Sequence, residues 1–391
     1  MNEQKEYFIY LLACFLSGEM PQGRAVDFEE LYHLADIHDI GAIVATEIKL
    51  LEPAFQPTGK IASEFTQTIG ITLREHTHRE RAYQLVKGML DSAAIPHLFV
   101  KGIVIKDGYP IPELRTSGDI DVIVQCENLK PLLDAIITES AITLTERTTE
   151  TVTAVCNGSG AKIEFHLYAD VGNDYYNDIF SLAVPDDGYT YRLDDYDHLL
   201  YIICHLAKHL AYRGAGIRML MDIDVAVRKT EAFDEESLLT RCEQAHIRKT
   251  AEALLSLCNY WFHTPVTAKI DFTAETGLLE KFEQVMLDGG SFGYEQNAIP
   301  VSYLETDKDS VFSRVKVLLK MAFPSKEYLR LCYPYYHHHA WLYPVARVNR
   351  LLDGLFKKRK AATGAVKQMR HNSGASSAQL ALLNELEIQY K

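Results

Sequence analysis

Residues 115–124 read Arg-Thr-Ser-Gly-Asp-Ile-Asp-Val-Ile-Val, and no other stretch limits the fold of this chain so tightly. The β-branched run after Gly118 predicts a buried strand, and side chains on a strand alternate between its two faces. Asp119 and Asp121 therefore point the same way at the mouth of an apolar sheet. Mutual repulsion and lost hydration both penalise two carboxylates placed like this. A divalent cation relieves the penalty, and Mg²⁺ characteristically takes one or two carboxylates together with substrate phosphates.

Upstream, Ile95-Pro96-His97-Leu98-Phe99-Val100-Lys101-Gly102 predicts a short buried strand that breaks at a glycine, with a short helix from Ile103 to Tyr109 behind it. Such a junction turns backbone N–H groups and a positive dipole end toward phosphate. Lys101 adds a cation there, and Arg115 offers a planar two-pronged fork for the same group. Downstream, residues 161–167 alternate, with Ile163, Phe165 and Leu167 on one face and Glu164 and His166 on the other. Glu164 is thus a candidate third carboxylate on a neighbouring strand. Three acids around two metal ions can activate an attacking oxygen and stabilise a leaving pyrophosphate in an in-line displacement.

Taken in order, Lys101-Gly102, Tyr109-Pro110-Ile111-Pro112, Arg115, Gly118-Asp119-Ile120-Asp121 and Glu164-Phe165-His166 resemble the DNA polymerase beta type nucleotidyltransferase superfamily. The nearest pattern within it is the uncharacterised nucleotidyltransferase family. The likeness runs more loosely through His205-Leu206-Ala207-Lys208-His209 and Arg218 to Asp222, over roughly residues 25–265. One departure is Gly102-Ile103, where the superfamily usually has Gly-Ser; Lys101 and Ser117 are the available substitutes.

The resemblance implies an α/β (α+β) fold, a small mixed-sheet core flanked by N-terminal and C-terminal helical regions. It implies metal-dependent transfer of a nucleoside monophosphate from an NTP, ATP among them, to an acceptor hydroxyl, with release of pyrophosphate. Asp119 and Asp121 would hold two Mg²⁺ ions, or Mn²⁺ in their place, and Glu164 would bind the metal nearest the acceptor and serve as general base. Lys101, the Gly102 backbone, Arg115 and Ser117 would hold the phosphates. His166, His205, Lys208 and His209 would face the nucleotide or the acceptor.

The pattern along the chain divides it into a helical region at 1–93, the core at 94–190, a helical domain closing the cleft at 191–311, and a basic, aromatic-rich helical region at 312–391. Asp27 predicts a helix cap, and a long polar helix follows from Ile61 to Ala93. Asn128 to Ser140 reads as a helix, and Val152 to Cys156 as a strand that turns at Asn157-Gly158. Asp197 is the expected cap of a helix from His198 to Tyr212, and Ile217 to Arg228 follows. Asp222 and Asp224 read as helix-surface residues or partners of Arg218. Residues 266–311 have little pattern, Val345 to Lys360 reads as a basic amphipathic helix, and Asn372 to Ser377 as a linker.

Charge narrows the partners. The net charge is −13, yet Ser313 to Arg370 holds thirteen Lys and Arg against Glu327 and Asp353, so this stretch carries +11 and the rest carries −24. An acidic body disfavours long nucleic acid and favours a small molecule or a protein as acceptor, while the basic region can make a local anionic contact. No run reaches the ~18 apolar residues of a membrane span, the start is no secretory leader, and seven scattered cysteines without a Cys-x-x-Cys pair point to a reducing, cytoplasmic setting. Two other readings stay open. The core could bind nucleotide without turnover, as an interaction module. Alternatively, His205 and His209, at i and i+4 on one helical face, could centre a metallo-hydrolase.

Overall fold

The computed structural model describes residues 2–290 apart from 138, 139, 149, 213 and 268, together with 343–345, 347–349 and 374–388. It opens with α1 (Glu3–Ser17), α2 (Phe28–Ile37), α3 (Gly41–Leu50) and α4 (Gly59–Ser92). As expected, the Asp27 carboxylate caps α2, accepting from the amides of Glu29 and Glu30, which satisfies two donors that have no partner within the helix. At 34 residues, α4 is about 50 Å long. Its buried positions Phe65, Thr72, Ala82, Val86 and Leu90 fall at seven-, ten- and four-residue spacings on one stripe. Ala82, Val86 and Leu90 lie against the sheet, and Phe65 joins the helical cluster beside Tyr32 of α2.

The core follows as β1 (His97–Val100), α5 (Gly102–Ile105), β2 (Ile120–Val124), α6 (Leu129–Ile136), β3 (Ile142–Arg147), β4 (Thr151–Cys156), β5 (Lys162–His166), α7 (Ile179–Leu182), β6 (Val184–Pro185) and β7 (Thr190–Arg192). The strands form one mixed sheet in the order β3-β4-β5-β2-β1-β7-β6. Two pairings are parallel, β2 with β5 and β1 with β7; the others are antiparallel. One face, bearing Phe99, Ile120, Val122, Val124, Ile163 and Phe165, packs under α4 and α6 through Ala82, Val86, Leu90, Leu129 and Leu133. The opposite face carries Leu98, Val100 and Ile123 into a larger apolar cluster shared with the helices on that side.

Those helices are α8 (Asp195–Tyr212), α9 (Ile217–Lys229), α10 (Glu235–Gln244), α11 (Arg248–Phe262), α12 (Thr276–Leu287) and α13 (Gly374–Glu385). Helix α1 packs on α11 and α3, so residues from both ends of the described chain enter one core. Each Leu or Phe buried there contributes roughly 1.5–3 kcal/mol. No helix among the described residues is long and apolar enough to cross a membrane, and no disulfide joins the six cysteines among them.

Several local expectations are corrected. Residues 266–311 contain α12, whose Leu278, Leu279, Phe282, Val285 and Met286 are buried at helical spacing. Helix α8 starts at Asp195, and the Asp194 carboxylate, not Asp197, accepts the first-turn amide at 2.8 Å; Asp197 is buried and pairs with Arg241 at 2.8 Å. Gly374 to Ser377 open α13 instead of forming a linker. Asp222 and Asp224 are buried; their partners are Arg115 and Arg228, not Arg218. The expected helix from Val345 to Lys360 and the anionic contact of the basic region lie almost wholly outside the described residues.

Candidate active site

The centre of the site follows from strand register. β2 and β5 run parallel with Asp121 opposite Glu164 and Ile123 opposite His166, and partners in register share a face. His166 Nε2 lies 3.0 Å from Asp121 Oδ1 and 3.7 Å from Glu164 Oε2. Ligand atoms of all three lie within 4.8 Å of one another, and among the described residues this is the group of acids, histidines and cysteines that converges on a common point. Two carboxylates with one imidazole suit a divalent cation; the oxygens favour Mg²⁺ or Mn²⁺, and the nitrogen leaves room for Mn²⁺ or a later transition metal.

Two lysines neutralise these acids. Lys101 Nζ is 2.7 Å from Asp121 Oδ1. Burial by itself would raise the Asp121 carboxyl, but Lys101 and the His166 hydrogen bond outweigh it and hold the group below the ordinary carboxylate range. Lys101 also has φ 59° and ψ −132°, a backbone region that non-glycine residues adopt at a cost of about 1–3 kcal/mol and chiefly at functional positions. Lys162, which the motif did not single out, reaches Glu164 Oε1 at 2.5 Å and Asp119 Oδ2 at 3.7 Å. Its signal in the sequence was its place two residues before Glu164, on the same strand face. Asp119 sits beside the three-residue group and outside it; burial, then Asp121, push its carboxyl upward.

The glycine turn meets a buried polar knot. A Cβ on Gly102 would lie 2.2 Å from Arg115 Nη1 and 2.7 Å from Ser117 Oγ, so only glycine admits this approach. Arg115 makes a two-pronged pair with Asp222 on α9, Nε to Oδ1 at 3.1 Å and Nη2 to Oδ2 at 2.5 Å, and Tyr109 donates to the same carboxylate at 2.7 Å. Ser117 Oγ donates to the Asp119 carbonyl at 2.8 Å. Arg218 pairs with Asp39 at 2.7 Å and donates to Thr116 Oγ1 at 2.8 Å, while Arg79 of α4 donates to the Ser117 carbonyl at 3.1 Å. The loop before β2 is thereby anchored to α4 and α9 at once.

Helix α8 supplies the remaining sequence-derived residues. The His205 and His209 rings meet edge to face with centroids 4.5 Å apart. Burial, reinforced by the nearby Lys101 charge, depresses both, His209 to about 4, so both are neutral imidazoles near neutral pH. The two join no third metal-ligating side chain among the described residues. Lys208 turns away to the carboxylate and carbonyl of Asp170.

The structure therefore brings Asp121, Glu164, His166 and Lys101 together, seats Gly102, Arg115 and Ser117 at an adjoining turn beside Asp119, and leaves Lys208 on a separate contact. The model of the family described as uncharacterised nucleotidyltransferase matches residues 24–263, more than half of the chain. No curated protein and no solved structure matches it.

Proposed function

Since the chain belongs to the uncharacterised nucleotidyltransferase family, we propose that it transfers a nucleoside monophosphate from an NTP to an acceptor hydroxyl and releases pyrophosphate. The observation that carries this reading is the in-register pair of Asp121 and Glu164, set beside a glycine turn ringed by cations. Two Mg²⁺ or Mn²⁺ ions, held by Asp119, Asp121 and Glu164, would supply charge neutralisation to the phosphates and acidify the acceptor hydroxyl.

The chain's own groups do the rest. Glu164, half-buried and at the open side of the acid group, takes the acceptor proton. Lys101 keeps Asp121 ionised, and His166 fixes that carboxylate by its 3.0 Å contact. The Gly102 amide, Lys101, Ser117 and Arg115 line the phosphate path, Arg115 by fixing the loop through Asp222. Neutral His205 and His209 offer hydrogen bonds to the nucleoside or the acceptor without adding charge. Catalysis of this kind rests on positioning and electrostatics. The acidic body supports a small molecule or a protein as acceptor over long nucleic acid.

One observation favours a second reading. Lys101 and Lys162 already pair with Asp121 and Glu164, so the acids are balanced without metal, as in a module that binds nucleotide and does not turn it over. Incubation with each α-³²P-labelled NTP, Mg²⁺ or Mn²⁺ and a cell extract separates the two, with Asp119→Ala/Asp121→Ala as control. Label moved to an acceptor by the wild type alone supports transfer. Saturable NTP binding without transfer supports the module, and neither result from a folded protein overturns both.

A further inference from the structure

Three arginines surround the loop at Thr116 and Ser117, and only two have a close carboxylate. Arg115 takes Asp222 and Arg218 takes Asp39. Arg79 has the Ser117 carbonyl on Nη1 and a stretched 3.8 Å pair with the exposed Glu75. Its side chain is only 12 % exposed, and its Nη2 is buried with no hydrogen-bond partner. A buried guanidinium with an unused donor is costly unless a partner arrives. Arg79 also lines a narrow cleft with His76, Lys106, Arg115 and Ser117, and with the acids Glu80 and Asp119.

The other side chains at this turn are already engaged. Lys101 is on Asp121, Arg115 on Asp222, and the Ser117 hydroxyl on the Asp119 carbonyl. Lys106 is held by Glu80 and Asp107. We propose that Arg79, from the N-terminal helix α4, is a polyphosphate-binding residue of the site, its unpaired Nη2 receiving an oxygen of the pyrophosphate that leaves. This rests on the nucleotidyltransferase reading for the identity of the anion, but the unsatisfied Nη2 stands without it. The position carries a sequence signal as well. Residues 65, 72, 79 and 86 fall at seven-residue spacing on the buried stripe of α4, where Phe65, Thr72 and Val86 are buried and Arg79 interrupts the pattern with a charge.

Calorimetry with inorganic tripolyphosphate, metal-free, on the wild type, Arg79→Gln and Arg79→Lys tests the assignment. Arg79→Gln removes the charge and the fork and keeps only a shorter polar amide, while Arg79→Lys keeps the charge. Loss of a charge-assisted hydrogen bond predicts tripolyphosphate binding weaker by about tenfold or more, with Arg79→Lys intermediate, and with Mn²⁺ binding unchanged. A folded Arg79→Gln protein that binds tripolyphosphate like the wild type overturns the proposal, as does a wild type that binds none. Should Arg79→Gln fail to fold, Arg79→Lys decides by the same comparison. Arg79-dependent tripolyphosphate binding in a protein that transfers no label would sink the transferase reading and leave this subsite standing.

Discussion

Arg115 and Asp222, 107 positions apart, meet in a two-pronged ion pair whose side chains are only 7 % and 8 % exposed. One end belongs to the loop that leads into β2, the other to α9. The pair therefore ties the acid-bearing strand to the helices that face it, and the cost of burying both charges is met by geometry: two parallel hydrogen bonds and a third from Tyr109.

Asp222→Ala is expected to destabilise the protein by roughly 3–5 kcal/mol, because it strands the Arg115 charge in a buried position. Arg115→Met/Asp222→Leu together should recover most of that loss. Urea unfolding of the three proteins measures both quantities, and an Asp222→Ala cost below about 1 kcal/mol, the level of an exposed pair, would contradict the anchoring role.

Gly102→Ala puts a methyl group 2.2 Å from Arg115 Nη1. The guanidinium cannot yield without leaving Asp222, so a cost of about 1–3 kcal/mol is expected, together with weaker NTP binding. Thermal unfolding and nucleotide titration of the variant check this. Neutrality in both assays would mean that the close approach is not required.

Metal binding should depend on the two strands and not on α8. Mn²⁺ titration followed by electron paramagnetic resonance is expected to register loss of binding in Asp121→Asn and Glu164→Gln. His166→Ala should bind about 10–100-fold more weakly, the usual effect of removing a group that orients a ligand. His205→Ala should bind as the wild type does. The reverse result, with His205 essential and Asp121 dispensable, would revive the histidine-centred hydrolase.

Stability should fall on acidification from pH 6.5 toward 4. His38 is fully buried, donates from Nε2 to the Leu287 carbonyl at 3.0 Å, and has its pKa lowered by burial to about 4. The folded state thus holds His38 neutral where the unfolded chain, near 6.5, takes up a proton. Its contribution is complete above pH 6.5 and is lost as pH drops through that window, at up to about 1.4 kcal/mol per unit. Denaturant midpoints from pH 7.5 to 4.5 should show the slope, and His38→Gln, which keeps a donor for Leu287, should flatten it. An unchanged slope in that variant would assign the acid sensitivity elsewhere.

What could be read from the sequence was what is local and periodic. The alternation at Lys162 to His166 put Glu164 and His166 on one face, and the long helix expected from Ile61 to Ala93 spans Gly59–Ser92. Short strands left no such trace: β7 has three residues and β6 two, while β3 breaks register between Leu144 and Glu146. Partners between distant segments were also hidden. Nothing near Asp222 announces Arg115, and nothing near Arg79 announces Ser117, because both contacts arise only when α4 and α9 close on the same loop. The partner of Asp222 was therefore misjudged as Arg218, while the place of Arg115 beside the glycine turn was legible.

The parallel pairing of β2 with β5 has a consequence for how the site comes into being. Parallel neighbours cannot be joined by a tight turn, and here the chain passes through α6, β3 and β4 before returning to lay Glu164 against Asp121. A chain emerging from the ribosome carries half of this acid group long before the other half exists. If the acid group binds a cation as proposed, capture of the ion reports the pairing of β2 with β5, and a chain interrupted before His166 is blind to the ion however well its first strand has formed.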